Sequence, residues 1–200
     1  MERRPGKSQK GREASPGENP EKAVAWASST PMIRDPRVDA RTHAFMTLAS
    51  LLTPDRVIPS MQATEHWPAI EELIDHLIAS GAFPETGRPS ILDSLRDRED
   101  QRSTGIGGGI AIPHAFSDQI EEVTAIIGRS PGGIDFGALD NAPVNFVVLF
   151  VVPTEQYTLH LRTLAAIAKI LNSGEVRTQL AAAADRDEIL DVLAMRATRA

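Results

Sequence analysis

The chain has 200 residues, 42% of them hydrophobic, no cysteine and a formal net charge of −6. That length supports one globular core with a tail, and the missing cysteines exclude a disulfide framework and a thiolate metal site. The charge is uneven: residues 1–45 carry 9 Lys/Arg against 6 Asp/Glu, and residues 46–200 carry 12 against 21, an acidic body that argues against nucleic-acid binding.

The basic Pro/Gly/Ser-rich segment 1–45 has few large apolar side chains and is predicted to be a disordered extension. Its one apolar patch, Ala23 to Ala27, is too short for a signal-peptide core. No run reaches the roughly 18 apolar residues of a membrane helix. A soluble, cytoplasmic protein is therefore expected, with residues 46–200 as its folded domain and Met46 as a conceivable start.

Within that domain, Thr64 reads as an N-cap, followed by the helical stripe Trp67, Ile70, Leu73, Ile74, Leu77 and Ile78, which Gly81 ends. His66 and His76 fall at positions expected to be solvated. Pro89 to about Glu99 reads as a second helix buried through Ile91, Leu92 and Leu95, and Arg96 to Asp100 looks like a solvated charge run. Val123–Gly128 and Asn145–Val152 read as strands; the second is apolar nearly throughout and so expected to be central and covered on both faces. Helices are predicted from about Thr154 to Leu171, Gly174 to Ala183 and Asp187 to Met195. Strands alternating with helices give the fold class α/β: one layered domain, a mixed central sheet flanked by helices.

The most unusual stretch is Ser103-Thr104-Gly105-Ile106-Gly107-Gly108-Gly109-Ile110-Ala111-Ile112-Pro113-His114-Ala115. Its glycines permit positive φ and close approach. Ile110 to Ile112 reads as a short strand that Pro113 ends, aiming His114 out of the sheet. A neutral imidazole held there could take up a phosphoryl group or a proton; the alternative is a polar residue that merely closes a strand. On the last predicted strand's following helix, His160 shares a stripe with Leu164, Ile167 and Leu171, which fits either a second site histidine or a core histidine.

This segment closely resembles the active-site motif of phosphotransferase-system enzyme IIA proteins of the fructose/mannitol/nitrogen type. The likeness runs from about Met46 to Leu193 and includes Leu51-Leu52-Thr53-Pro54-Asp55-Arg56-Val57, Gly132-Gly133-Ile134-Asp135-Phe136-Gly137-Ala138 and His160-Leu161. It implies that His114 is the phosphorylated residue, that His160 is a second active-site histidine, and that Arg98, in the Arg98-Glu99 pair, lines the site. A guanidinium can fork onto phosphate oxygens, and Thr104 would offer them a hydroxyl. It implies a phosphocarrier: the donor is the histidine phosphocarrier protein and the acceptor a IIB component, or, in the nitrogen-type alternative, phosphorylation governs binding to other proteins. No cofactor or metal is expected. The sequence departs from many relatives at Phe116, where they carry a polar or basic residue.

Three competing motifs fail. Gly105 to Ile110 lacks the last glycine of a dinucleotide fingerprint and no P-loop lysine follows. Gly128-Arg129-Ser130-Pro131-Gly132 spells a nucleophile elbow, with Asp135 or Asp140 and then His160 in triad order, but Pro131-Gly132-Gly133 predicts a turn where a helix is required. His114 and His160 lack further ligands at zinc-site spacing.

Overall fold

The computed structural model describes residues 47–197; the expected tail 1–45 and the start at Met46 lie outside them. In chain order the helices are α1 (Leu48–Leu51), α2 (His66–Ala79), α3 (Arg88–Gln101), α4 (Tyr157–Leu171), α5 (Gly174–Ala182) and α6 (Arg186–Ala197). The strands are β1 (Val57–Ile58), β2 (Gly105–Gly107), β3 (Ile110–Ala111), β4 (His114–Ser117), β5 (Thr124–Ile134) and β6 (Val144–Pro153).

One mixed sheet runs β1-β5-β6-β3-β2, with β4 pairing further along β6. β5 and β6 are antiparallel, whereas β3 and β4 both run parallel to β6. As expected, β6 is central and buried along almost its whole length, Asn145 alone being half-buried. Its period of two divides the core into layers. Phe146, Val148, Phe150 and Val152 pack towards α1, α4, α5 and α6; Val147, Leu149 and Val151 pack towards α2 and α3.

Several local expectations change. Thr64 is not the cap of α2: Glu65 is, because it is held extended by a bridge to Asp135. The helix therefore starts one residue later. α4 starts at Tyr157 because Thr154 N–H still extends the ladder to Ser117 O, and Gln156 N–H turns back to Pro153 O. β5 does not stop at Gly128. Pro131-Gly132-Gly133 lies inside it as a bulge, where the register against β6 slips between Arg129 and Ile134 and Gly133 takes φ +75. A strand follows Ser130, so the elbow still lacks its helix.

Pro113 does not end the ladder either. Ala111 faces Val147 and His114 faces Phe150, so β3 and β4 are one line interrupted by a single missing donor. The Pro113 carbonyl keeps its rung by accepting from Phe150 N–H. His114 thus stays in the sheet, on the face of Ile110 and Ile112.

Candidate functional site

The glycine segment sets the site's position. Gly107, Gly108 and Gly109 all have positive φ, at +91, +65 and +78, a turn that residues with a Cβ resist. Gly105 serves differently: a Cβ there would lie 2.8 Å from the Ala138 Cα. That contact seats the start of the segment against the loop after β5, and Leu139 N–H donates to Gly105 O.

His114 is buried with its ring stacked 5.3 Å from Phe150. Its Nδ1 lies 2.8 Å from Ile112 O, and a carbonyl can only accept. Nδ1 therefore carries the proton and Nε2 the lone pair. Arg98 Nε donates to that Nε2 at 3.1 Å, while Arg98 Nη1 is tied to Arg102 O. Burial, reinforced by the Arg98 charge and by His160, pushes the His114 pKa down to about 4, against the opposing pull of Ile112 O and Glu99. The ring is neutral at physiological pH, with one nucleophilic nitrogen.

His160, on the first turn of α4, is buried with its ring centroid 4.8 Å from that of His114. Neither ring nitrogen has a hydrogen-bond partner among the described residues. Burial and then Arg98 lower its pKa. Thr104 lies in the wall of a shallow cleft, about 220 Å³, with Arg98, His114, Leu139 and Ile106. Three of the four residues singled out from sequence thus line one cleft, and His160 adjoins it through its contact with the His114 ring. Leu139 and Tyr157 are 61% and 63% exposed, giving the site an apolar rim; Tyr157 also packs 5.8 Å from His160. Phe116, the departure noted above, packs 5.1 Å from His160, so an aromatic wall stands there.

Glu99 was underrated by the sequence reading, as were two histidines. It is buried, not part of a solvated run, and its Oε1 accepts Thr104 N–H at 2.8 Å. His66 is no solvated residue: its Nε2 makes a 3.1 Å polar contact with the same oxygen, not aligned as a hydrogen bond, and its ring packs 4.1 Å from Phe136. Burial pushes the Glu99 carboxyl up, but His66 and Thr104 outweigh it and the net direction is down. The signal was present: Glu99 continues the i, i+4 spacing of Ile91 and Leu95, the buried stripe of α3. His76, also read as wet, is half-buried with Nε2 2.9 Å from Asp55 O.

Among the described residues no three His, Asp or Glu side chains converge as a metal site, and no helix is long and apolar enough to cross a membrane.

Fold and site define a class: layered α/β proteins that present a neutral, tautomer-locked histidine beside an arginine in a shallow, apolar-rimmed cleft. Residues 50–195 match the family described as phosphoenolpyruvate-dependent sugar phosphotransferase system, EIIA 2, and the chain belongs to it. It is 37% identical over 126 residues to the PTS system fructose-specific EIIA component of Haloferax volcanii, covering 63% of this chain and 80% of that protein. It is 30% identical over 152 residues to the nitrogen regulatory protein of Bradyrhizobium diazoefficiens, covering 75% and 96%. Enzyme IIAMTL of Escherichia coli, solved in complex with phosphorylated enzyme IIBMTL, shares the fold with a TM-score of 0.60 at 20% identity, covering 72% of this chain and 96% of that one.

Proposed function

We propose that His114 accepts a phosphoryl group from the histidine phosphocarrier protein and passes it to a IIB component during uptake of a fructose- or mannitol-type sugar. The observation that carries this is the tautomer lock: Ile112 O holds the Nδ1 proton, so the only lone pair, on Nε2, faces Arg98 at the cleft. That pair forms the new P–N bond as the bond from phosphorus to the donor's ring nitrogen breaks, and the donor nitrogen keeps those electrons. Arg98 Nε–H, which masks Nε2 at rest, shifts to the phosphoryl oxygens. Ile112 O stabilises the positive charge that develops on the His114 ring. The transition state is loose and anionic, so donors and positive charge outweigh covalent machinery. The unpartnered nitrogens of His160 and the Thr104 hydroxyl supply the remaining donors. A cysteine-free chain exchanging phosphate between proteins fits the cytoplasm.

The near-complete coverage of the Bradyrhizobium nitrogen regulatory protein favours a second reading, in which the phosphorylation state of His114 governs binding to other proteins. The readings share a site and part on what consumes the phosphoryl group. Incubation with the phosphorylated carrier should add one acid-labile, base-stable phosphate on Nε2, and His114→Ala should add none. Mapping to Ser103, Thr104 or Ser130 would sink the mechanism. Onward transfer to a IIB protein, or its failure, then separates the two readings.

A further inference from the structure

A second, larger cleft of about 540 Å³ opens at the other end of the sheet, between α5, the β5 bulge and the glycine turn between β2 and β3. Arg129, at its wall, faces Phe146 in the β5–β6 register, whereas His114 faces Phe150. Four residues of strand separate the two levels, roughly 13 Å.

Its charge sets it apart. In a domain rich in acidic residues, this cleft is lined by two arginines, Arg129 and Arg177, and, among the described residues, by no Asp or Glu. Neither arginine has an ion-pair partner among the described residues. Each is instead clamped by backbone carbonyls. Arg129 Nε donates to Pro59 O, and its Nη1 lies among the carbonyls of Leu180, Ala181 and Ala183 at the end of α5. Arg177 Nη1 donates to Leu171 O at the end of α4. These clamps fix both forks and leave Arg129 Nη2, and Arg177 Nε and Nη2, without an acceptor among the described residues. Gly108 lets the turn approach closely, since a Cβ there would stand 3.5 Å from the Arg177 Cζ. The nearby Asp140 is occupied, accepting from Gly108 and Ala142 N–H. Thr178 and Asn145 add polar groups to the wall.

We propose that this cleft binds a small organic dianion, a phosphate monoester or a dicarboxylate, between the pre-positioned forks of Arg129 and Arg177. Immobilised guanidiniums lose little freedom on binding, and two of them match two negative charges. The volume admits a molecule well beyond a bare phosphate ion. The inference is independent of the chemistry at His114.

The test is an amide NMR titration of the full chain with glycerol 3-phosphate, succinate and inorganic phosphate, with glycerol as the uncharged control. Saturable shifts are expected at Gly108, Gly174 and Arg177 with either organic dianion and none with glycerol. Removing one charge-assisted fork in Arg177→Gln should weaken binding about tenfold. Because Arg177 also holds the end of α4, Ala181→Glu supplies an independent arm: it sets a carboxylate on an exposed cleft position, leaves both clamps intact and should abolish binding. Linear shifts without saturation, shifts centred on Thr104 and Gly105 instead, saturable binding of phosphate alone, or unaltered affinity in Ala181→Glu would each overturn the proposal.

Discussion

Two neighbouring stripes on the α4 side of the sheet differ by one residue. β6 presents Phe146, Val148, Phe150 and Val152; the β3–β4 line presents Ile110, Ile112, His114 and Phe116, paired with them rung for rung. The first is wholly apolar, the second carries an imidazole in a slot that packing would otherwise give to an aliphatic side chain. β6 has strands on both sides, whereas β4 pairs with β6 alone. At that margin the end of α3 can bring Arg98 to the ring. The difference teaches that the proposed phosphoryl acceptor needs no loop to carry it: it is one polar residue in a buried stripe, and the burial around it also keeps it neutral.

The sharpest way to break the comparison is at the apolar stripe. Phe150→Ala removes a fully buried ring and the surface on which His114 stacks, and should cost about 3–5 kcal/mol in denaturant unfolding. Phosphoryl uptake should slow as well. A cost below about 1 kcal/mol would mean that the stripe does not hold the core together. Next comes His160, the proposed donor beside the proposed acceptor. His160→Ala should slow transfer about a hundredfold, on the order of 3 kcal/mol of lost charge stabilisation, yet still reach full phosphorylation at long times, as His114→Ala cannot. His160→Gln keeps a donor and should recover part of the rate. Transfer at the wild-type rate would make His160 a core histidine and nothing more.

Acid sharpens the contrast between an imidazole and the aliphatic side chains around it. The folded-state pKa of His114 is about 4 against 6.5 for a free histidine. Between those values the unfolded chain binds a proton that the folded chain does not, so stability rises with pH across the window and is level above it. The whole shift corresponds to about 3 kcal/mol. His114→Ala should remove this component, so the difference between wild type and variant should change from pH 6.5 to pH 4 and hold constant above. Parallel stability profiles would show that the ring is not held neutral by burial.

Much of this arrangement was legible in the sequence because period and composition report burial directly. The run Phe146 to Val152 announced a central strand, and the spacing of His160 with Leu164, Ile167 and Leu171 put that histidine on the inward face of α4, where it lies. What stayed hidden depended on pairing. β1 and β2 are two and three residues long and exist only through their partners. Pro113 signalled a strand end by its missing donor, but its carbonyl and its place beside β6 outweighed that loss. The bulge at Pro131–Gly133 read as a turn for the same reason: its residues favour turns, and only the long partner strand keeps them in the ladder. In the site, the tautomer of His114 rests on Ile112 O, a backbone atom with no residue signature.

The smallest predicted effect concerns Glu99, the polar residue that ends the buried stripe of α3 as His114 interrupts that of β3–β4. Its carboxylate receives Thr104 N–H and the His66 ring contact, fixing the start of the glycine segment one residue along from Arg98. Glu99→Gln retains an oxygen to accept from Thr104 and an amide to face His66, so the fold should persist. It loses only the charge assistance of those contacts, which separates a charged from a neutral hydrogen bond by about 1 kcal/mol. Because the Glu99 pKa is lowered below 4.5 in the folded protein, its contribution is present above that value and lost as pH falls through the folded pKa. Wild type should therefore be more stable than Glu99→Gln by about 1 kcal/mol at neutral pH, and the two should converge in acid once the wild-type carboxyl is protonated. That convergence begins at the acid end of the window in which His114 titrates, so the two groups are separated by comparing Glu99→Gln and His114→Ala each with wild type. A gap that persists unchanged in acid would show that Glu99 acts by shape alone, with its charge contributing nothing to the seating of Thr104.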